Sequence, residues 1–67
     1  MRVNEVISRC RTDQSIIIHY DNRSIVGTVY EIIGIEEYRL NRVGDMIVTN
    51  ISSNKSDLWL KAVKAWH

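Results

Sequence analysis

Val3, Val6, Ile7 and Cys10 recur at i, i+3, i+4 and i+7, and Asn4, Glu5, Ser8, Arg9 and Arg11 fill the opposite side. That spacing predicts an amphipathic helix over residues 3–11. A helix this short does not persist alone, so its stripe must lie across a sheet. Cys10 on the stripe then reads as a small buried apolar residue. After Thr12-Asp13-Gln14 the period drops to two: Ile16, Ile18 and Tyr20 share one face of a strand from Ser15 to Tyr20, and Ile17 and His19 point the other way. Apolar positions on both faces predict a strand covered on both sides.

Asp21-Asn22-Arg23 carries turn chemistry, so residues 24–32 are expected to return as a second, antiparallel strand. Gly27 within it points to a bend, a bulge or a side chain packed on bare backbone. Residues 36–41 have the character of one or two helical turns. Gly44-Asp45 precedes a third strand over residues 46–51, and residues 52–57 read as a solvated loop. The last segment carries two patterns. Leu58, Leu60 and Ala62 alternate as in a fourth strand, whereas Asp57 as an N-cap and the stripe Trp59, Val63, Trp66 would suit a helix. A strand through Val63 is favoured because it completes a second hairpin. The expected fold is therefore α+β: one domain over residues 1–67, with a short N-terminal helix packed on a small, mainly antiparallel sheet of three to four strands.

Composition narrows this picture. The chain has 67 residues, 45% of them hydrophobic, with no proline and one cysteine. A domain of this size buries only about 60% of its unfolded surface, and a lone Cys10 excludes an intramolecular disulfide. A strand-rich domain without a staple gains from self-association, so a homodimer is the expected state. Nine basic and eight acidic side chains leave a net charge of +1, with both signs interspersed. Chains dominated by phosphate contacts ordinarily carry a basic excess, so nucleic acid is not the favoured partner. The first ten residues lack the apolar run of a signal peptide, no stretch has the length of a membrane span, and a single thiol suits a reducing compartment. A cytoplasmic protein without a membrane partner is expected.

Catalysis needs convergent groups, and none is evident. His19 lies in an isoleucine-rich strand and reads as a hydrogen-bonded structural residue. His67 stands at the chain end, where order is ordinarily low. Glu36 and Glu37 are adjacent and would splay about 100° apart on a helix. The glycines at 27, 34 and 44 make no phosphate loop. The expectation is a non-enzymatic protein with no catalytic residues, no metal and no cofactor. Binding candidates are Trp66, either an interface anchor or a lid folded back on the sheet, and a basic edge of Arg39, Arg42 and Lys55. Trp59 is assigned to the core.

The order of elements resembles small accessory proteins of phages and prophages of low-GC Gram-positive bacteria. The residues that carry the likeness are the helix Val3-Asn4-Glu5-Val6-Ile7-Ser8, the strand Ile16-Ile17-Ile18-His19-Tyr20-Asp21, the glycine-centred Ile25-Val26-Gly27-Thr28-Val29-Tyr30 and the acidic turn Ile35-Glu36-Glu37. The resemblance implies a mobile-element protein that binds a host or phage protein and inhibits or modulates a host enzyme, of anti-CRISPR or anti-restriction type. A second resemblance is to the Sm and Hfq family of RNA-binding rings. Asp21-Asn22-Arg23-Ser24-Ile25-Val26-Gly27-Thr28-Val29 is similar to the first Sm signature, and Arg42-Val43-Gly44-Asp45 to the turn of the second. Asn22 stands where that family has a turn glycine and Ile33 where it has an aspartate, so the RNA-binding module ranks second.

Overall fold

Two hairpins supply the four strands of the sheet, and they join side by side through strands that run in parallel. The computed structural model describes residues 1–66; His67, read above as a chain end without catalytic company, lies outside the described residues. In chain order come α1 (Val3–Ser8), β1 (Ser15–Tyr20), β2 (Arg23–Thr28), α2 (Val29–Ile33), α3 (Glu36–Leu40), a 3-10 turn (Val43–Asp45), β3 (Ile47–Asn54) and β4 (Asp57–Val63). The sheet order is β2-β1-β4-β3. β1 pairs antiparallel with β2 and parallel with β4, while β3 and β4 pair antiparallel. This is the expected α+β fold, with four strands and the C-terminal segment as a strand.

Local chemistry explains the turns. Asp21 and Asn22 both have positive φ, 46° and 62°, which a two-residue hairpin loop favours because its twist then matches that of the strands. Asp and Asn tolerate that region better than other side chains. Lys55, at φ 55°, opens the corresponding turn between β3 and β4.

Three boundaries and one burial pattern differ from the sequence expectation. The first helix stops at Ser8 rather than residue 11, though Cys10 still packs against the core and its thiol donates to the Val6 carbonyl at 3.3 Å. The second strand ends at Thr28, and residues 29–33 are helical. Thr28 and Glu31 form a reciprocal capping box: the Glu31 N–H donates to Thr28 Oγ1 at 3.2 Å, and the Thr28 N–H donates to Glu31 Oε1 at 3.0 Å. Those bonds satisfy donors that a new helix leaves orphaned, and they outweigh the strand propensity of Val29 and Tyr30. Gly27 precedes this switch at φ 157°, and a Cβ there would sit 3.4 Å from the Glu31 Cβ. Third, the strand expected at Met46 begins at Ile47 and runs on to Asn54, so most of the expected loop over residues 52–57 is ladder. Fourth, β1 is not covered on both faces.

The helices and the 3-10 turn all contribute to one cluster. Val3, Val6 and Ile7 of α1, Val29 and Ile32 of α2, Tyr38 of α3, Val43 and Met46 are buried with Ile16, Ile18 and Tyr20 of β1, Ile25 of β2 and Leu60 and Ala62 of β4. Gly44 lets α1 approach the 3-10 turn, since a Cβ there would collide with the Asn4 carboxamide. The N-terminus extends the sheet: Arg2 bridges to Ile47, and the Val48 N–H donates to the Met1 carbonyl at 2.8 Å. No helix among the described residues is long and apolar enough to cross a membrane.

Candidate functional site

The face of the sheet turned away from the helices follows from strand parity. Sending Leu60 and Ala62 inward sends Trp59 and Lys61 outward, because successive side chains alternate. The register then aligns two rows across all four strands. One reads Val26, Ile17, Trp59, Ser52; the next reads Ser24, His19, Lys61, Asn50. Val26 is 63% exposed, Ile17, His19 and Trp59 are half-buried, and Lys61 is exposed. The His19 and Trp59 rings stack with centroids 5.2 Å apart and planes 23° from parallel. His19 Nδ1 lies 2.9 Å from Ser24 Oγ, which fixes the imidazole plane that Trp59 covers. The expected hydrogen-bonded histidine is thus present. Trp59, assigned above to the core, is instead on the uncovered face; the alternation of Leu58, Leu60 and Ala62 was the signal that could have placed it there.

Beside these rows the β1–β2 turn and the end of β4 enclose a hollow of about 470 Å³, lined by His19 through Ser24 and by Lys61, Ala62 and Val63. Asp21, one of the lining residues, also approaches Lys64, with Nζ and Oδ2 3.8 Å apart. Both side chains are at least half exposed, so the pair contributes little to stability.

Trp66 packs back against the core from its edge, and the Arg42 guanidinium lies 4.4 Å from the centroid of the indole. Arg42 takes a left-handed backbone, φ 53°, and its Nε also donates to Asp45 Oδ2 at 3.4 Å. Arg39 and Arg42 share a second hollow of about 230 Å³ with Asn4, Tyr38, Gly44 and Asp45. Lys55 does not join them. It sits in the β3–β4 turn, at the far end of β4 from Trp66, a span of about 20 Å at the usual strand rise.

Two buried phenols anchor α3. Tyr20 donates to Glu37 Oε1 at 2.8 Å; burial first, and then the hydrogen bond and negative charge of Glu37, raise its pKa. Tyr38 donates to Asn4 Oδ1, and burial together with the Asp45 charge raises its pKa too. Arg23 approaches Glu37 at 3.7 Å. Glu37 therefore ties helix to sheet, whereas Glu36 is exposed. Among the described residues no group of three or more His, Cys, Asp or Glu side chains is placed to hold a metal ion.

No family model, curated protein or solved structure matches this chain. The Sm resemblance implies a long bent third strand after Gly27. Here α2 begins two residues after that glycine, and the first strand pairs in parallel with the last.

Proposed function

We propose that this chain is a non-enzymatic binding protein that engages another protein through the helix-free face of its sheet. The observation that carries this reading is the ordered His19–Trp59 stack, flanked by half-buried Ile17 and exposed Val26. A tryptophan held rigid on a flat surface, ringed by Ser24, Asn50, Ser52 and Lys61, has the make-up of an interface centre with a polar rim. The near-neutral charge of the chain suits a protein surface better than a phosphate backbone. The resemblance to phage accessory proteins supports the narrower reading, an inhibitor or modulator of a host enzyme such as a restriction or CRISPR effector.

One observation favours RNA instead: an aromatic pair beside Lys61 on an open sheet could stack bases. Two measurements separate the readings. Expression in a bacterial host carrying restriction or CRISPR immunity should relieve interference with an incoming phage, and Trp59→Ala should abolish that relief while leaving the circular dichroism spectrum unchanged. In vitro, wild-type protein should show no anisotropy change with fluorescent oligouridine at low salt. Salt-sensitive binding that Trp59→Ala removes would transfer the function to RNA. Relief by the wild type that survives Trp59→Ala would refute the uncovered face as the site.

A further inference from the structure

The sheet has two outer strands, and they are guarded differently. β2 carries Arg23 at one end and Gly27, at φ 157°, near the other, which are devices that discourage further pairing. β3 reads Ile-Val-Thr-Asn-Ile-Ser-Ser-Asn, without charge or proline. Its first part is already occupied, because Arg2 bridges to Ile47 and Met1 accepts from the Val48 N–H. A register shift between Val48 and Asn50 follows. Among the described residues, what remains vacant is the regularly paired stretch from Asn50 to Asn54, exposed throughout, with Ile51 at 50%.

The pairs flanking a two-residue hairpin loop exchange both backbone hydrogen bonds, and such pairs then alternate along the ladder. Asn54, Ser52 and Asn50, opposite Asp57, Trp59 and Lys61, therefore aim their backbone groups at β4. Ile51 and Ser53 aim theirs outward. A strand laid antiparallel on this edge must offer the same spacing of free donors and acceptors. The vacant stretch of a second copy does so.

We infer that β3 pairs with β3 of a second copy, antiparallel and centred on Ser52. This register opposes Ile51 to Ser53 of the other copy, so both outward-facing residues are satisfied. It opposes Asn50 to Asn54 and Ser52 to itself, uncharged side chains that hydrogen-bond and do not repel. The alternative centre at Ile51 would require the irregular residue Thr49 to enter the ladder. The two-fold axis stands perpendicular to the sheet, so the four strands of each copy continue into one sheet whose helix-free faces lie on the same side. This locates the homodimer expected from composition, and it uses the edge of the sheet rather than the face assigned to the partner.

Sedimentation velocity on the full chain should show a monomer–dimer equilibrium. Ser53→Pro leaves the bonds to β4 intact and deletes one outward N–H from each copy, so it should raise the dimer Kd about thirtyfold, with an unchanged melting curve at concentrations where the wild type is also monomeric. Ile51→Lys, a charge of the kind that guards natural edges, should dissociate the dimer as well. In a Cys10→Ala background, Ser52→Cys should cross-link under mild oxidation, since facing residues in non-hydrogen-bonded pairs come within disulfide reach, and Val26→Cys should not. A monomer at every concentration up to the millimolar range, a dimer indifferent to Ser53→Pro and Ile51→Lys, or cross-linking through Val26→Cys instead would overturn the proposal. A monomeric Ser53→Pro variant that still relieves interference would leave the uncovered-face reading standing on its own.

Discussion

β1 and β4 show the same kind of residue to two different worlds. Ile16 and Ile18 are fully enclosed, and Leu60 is nearly so, while Ile17 and Trp59, one position away, are only half-buried. Side-chain chemistry does not separate the two sets; parity does. One face owes its burial to three short helices that cannot stand alone and are held by caps and by the Tyr20–Glu37 and Tyr38–Asn4 bonds. Among the described residues, the other face is shielded only by its own neighbours in the sheet. Ile17 and Trp59 keep a contact surface that their inward neighbours have lost, and Val26 beside them is mostly exposed, which is why that face is read as a surface for something else.

The sharpest way to break the comparison is to place the same charge on either side of β1. Ile18→Asp should unfold the chain, because an unpaired carboxylate buried there costs several kcal/mol against a net stability of about 3–5 kcal/mol for a domain this small. Ile17→Asp should leave it folded, with a cooperative melting transition. If both variants unfold, the outer face is covered after all. Within the enclosed set, Leu60→Ala should cost about 2–5 kcal/mol, measured by urea denaturation.

Trp66 lies at the border between the two worlds, half-buried with Arg42 across its ring. Its removal as Trp66→Ala should cost about 1–2 kcal/mol from lost burial and the cation–π contact, with sedimentation unchanged. A dissociated dimer with intact stability would show that it serves the interface instead. Trp59→Ala forfeits the buried part of the indole as well as the stack on His19, together about 1–3 kcal/mol, and should affect partner binding more than melting.

The smallest effect concerns pH. The phenols of Tyr38 and Tyr20 lie above their ordinary value of 10.0, so the folded chain holds these protons more tightly than the unfolded chain does. Their contribution is complete below about pH 10 and is lost as pH rises through the higher folded values. Tyr38→Phe should flatten the alkaline limb of the stability profile, whereas His19→Ala on the other face should leave that limb unchanged.

Most of the fold was legible because periodicity reports burial. The alternation in β1 and the stripe Val3, Val6, Ile7 name core residues directly. Where the reading failed, a local bond had overruled a propensity. Val29 and Tyr30 favour a strand by type, yet the Thr28–Glu31 box starts a helix, and its Thr-x-x-Glu spelling was visible in the chain. The exposed second half of β3 resembled a loop because Ser52, Ser53 and Asn54 are polar on both faces; a strand with nothing to bury leaves no periodic trace. The candidate site was hidden for a related reason. Trp59 and His19 are far apart in sequence, and only the parallel pairing of β1 with β4 brings them together, a long-range fact that no local pattern encodes. For the same reason Arg39 and Arg42 could be grouped by spacing, whereas Lys55 could not be assigned to either end of the sheet.

That parallel pairing has a consequence for how the molecule is made. β4 is synthesised after the other three strands of this sheet, yet it occupies an interior place, between β1 and β3. While the chain emerges, the β1–β2 hairpin can close early, but one edge of β1 stays bare until residues 57–63 arrive to fill the gap. Contacts so distant in sequence form slowly, and an incomplete sheet with a bare isoleucine-rich edge is prone to aggregate. A chain cut before Leu58 would lose the centre of the sheet, so assembly waits on residues 57–63.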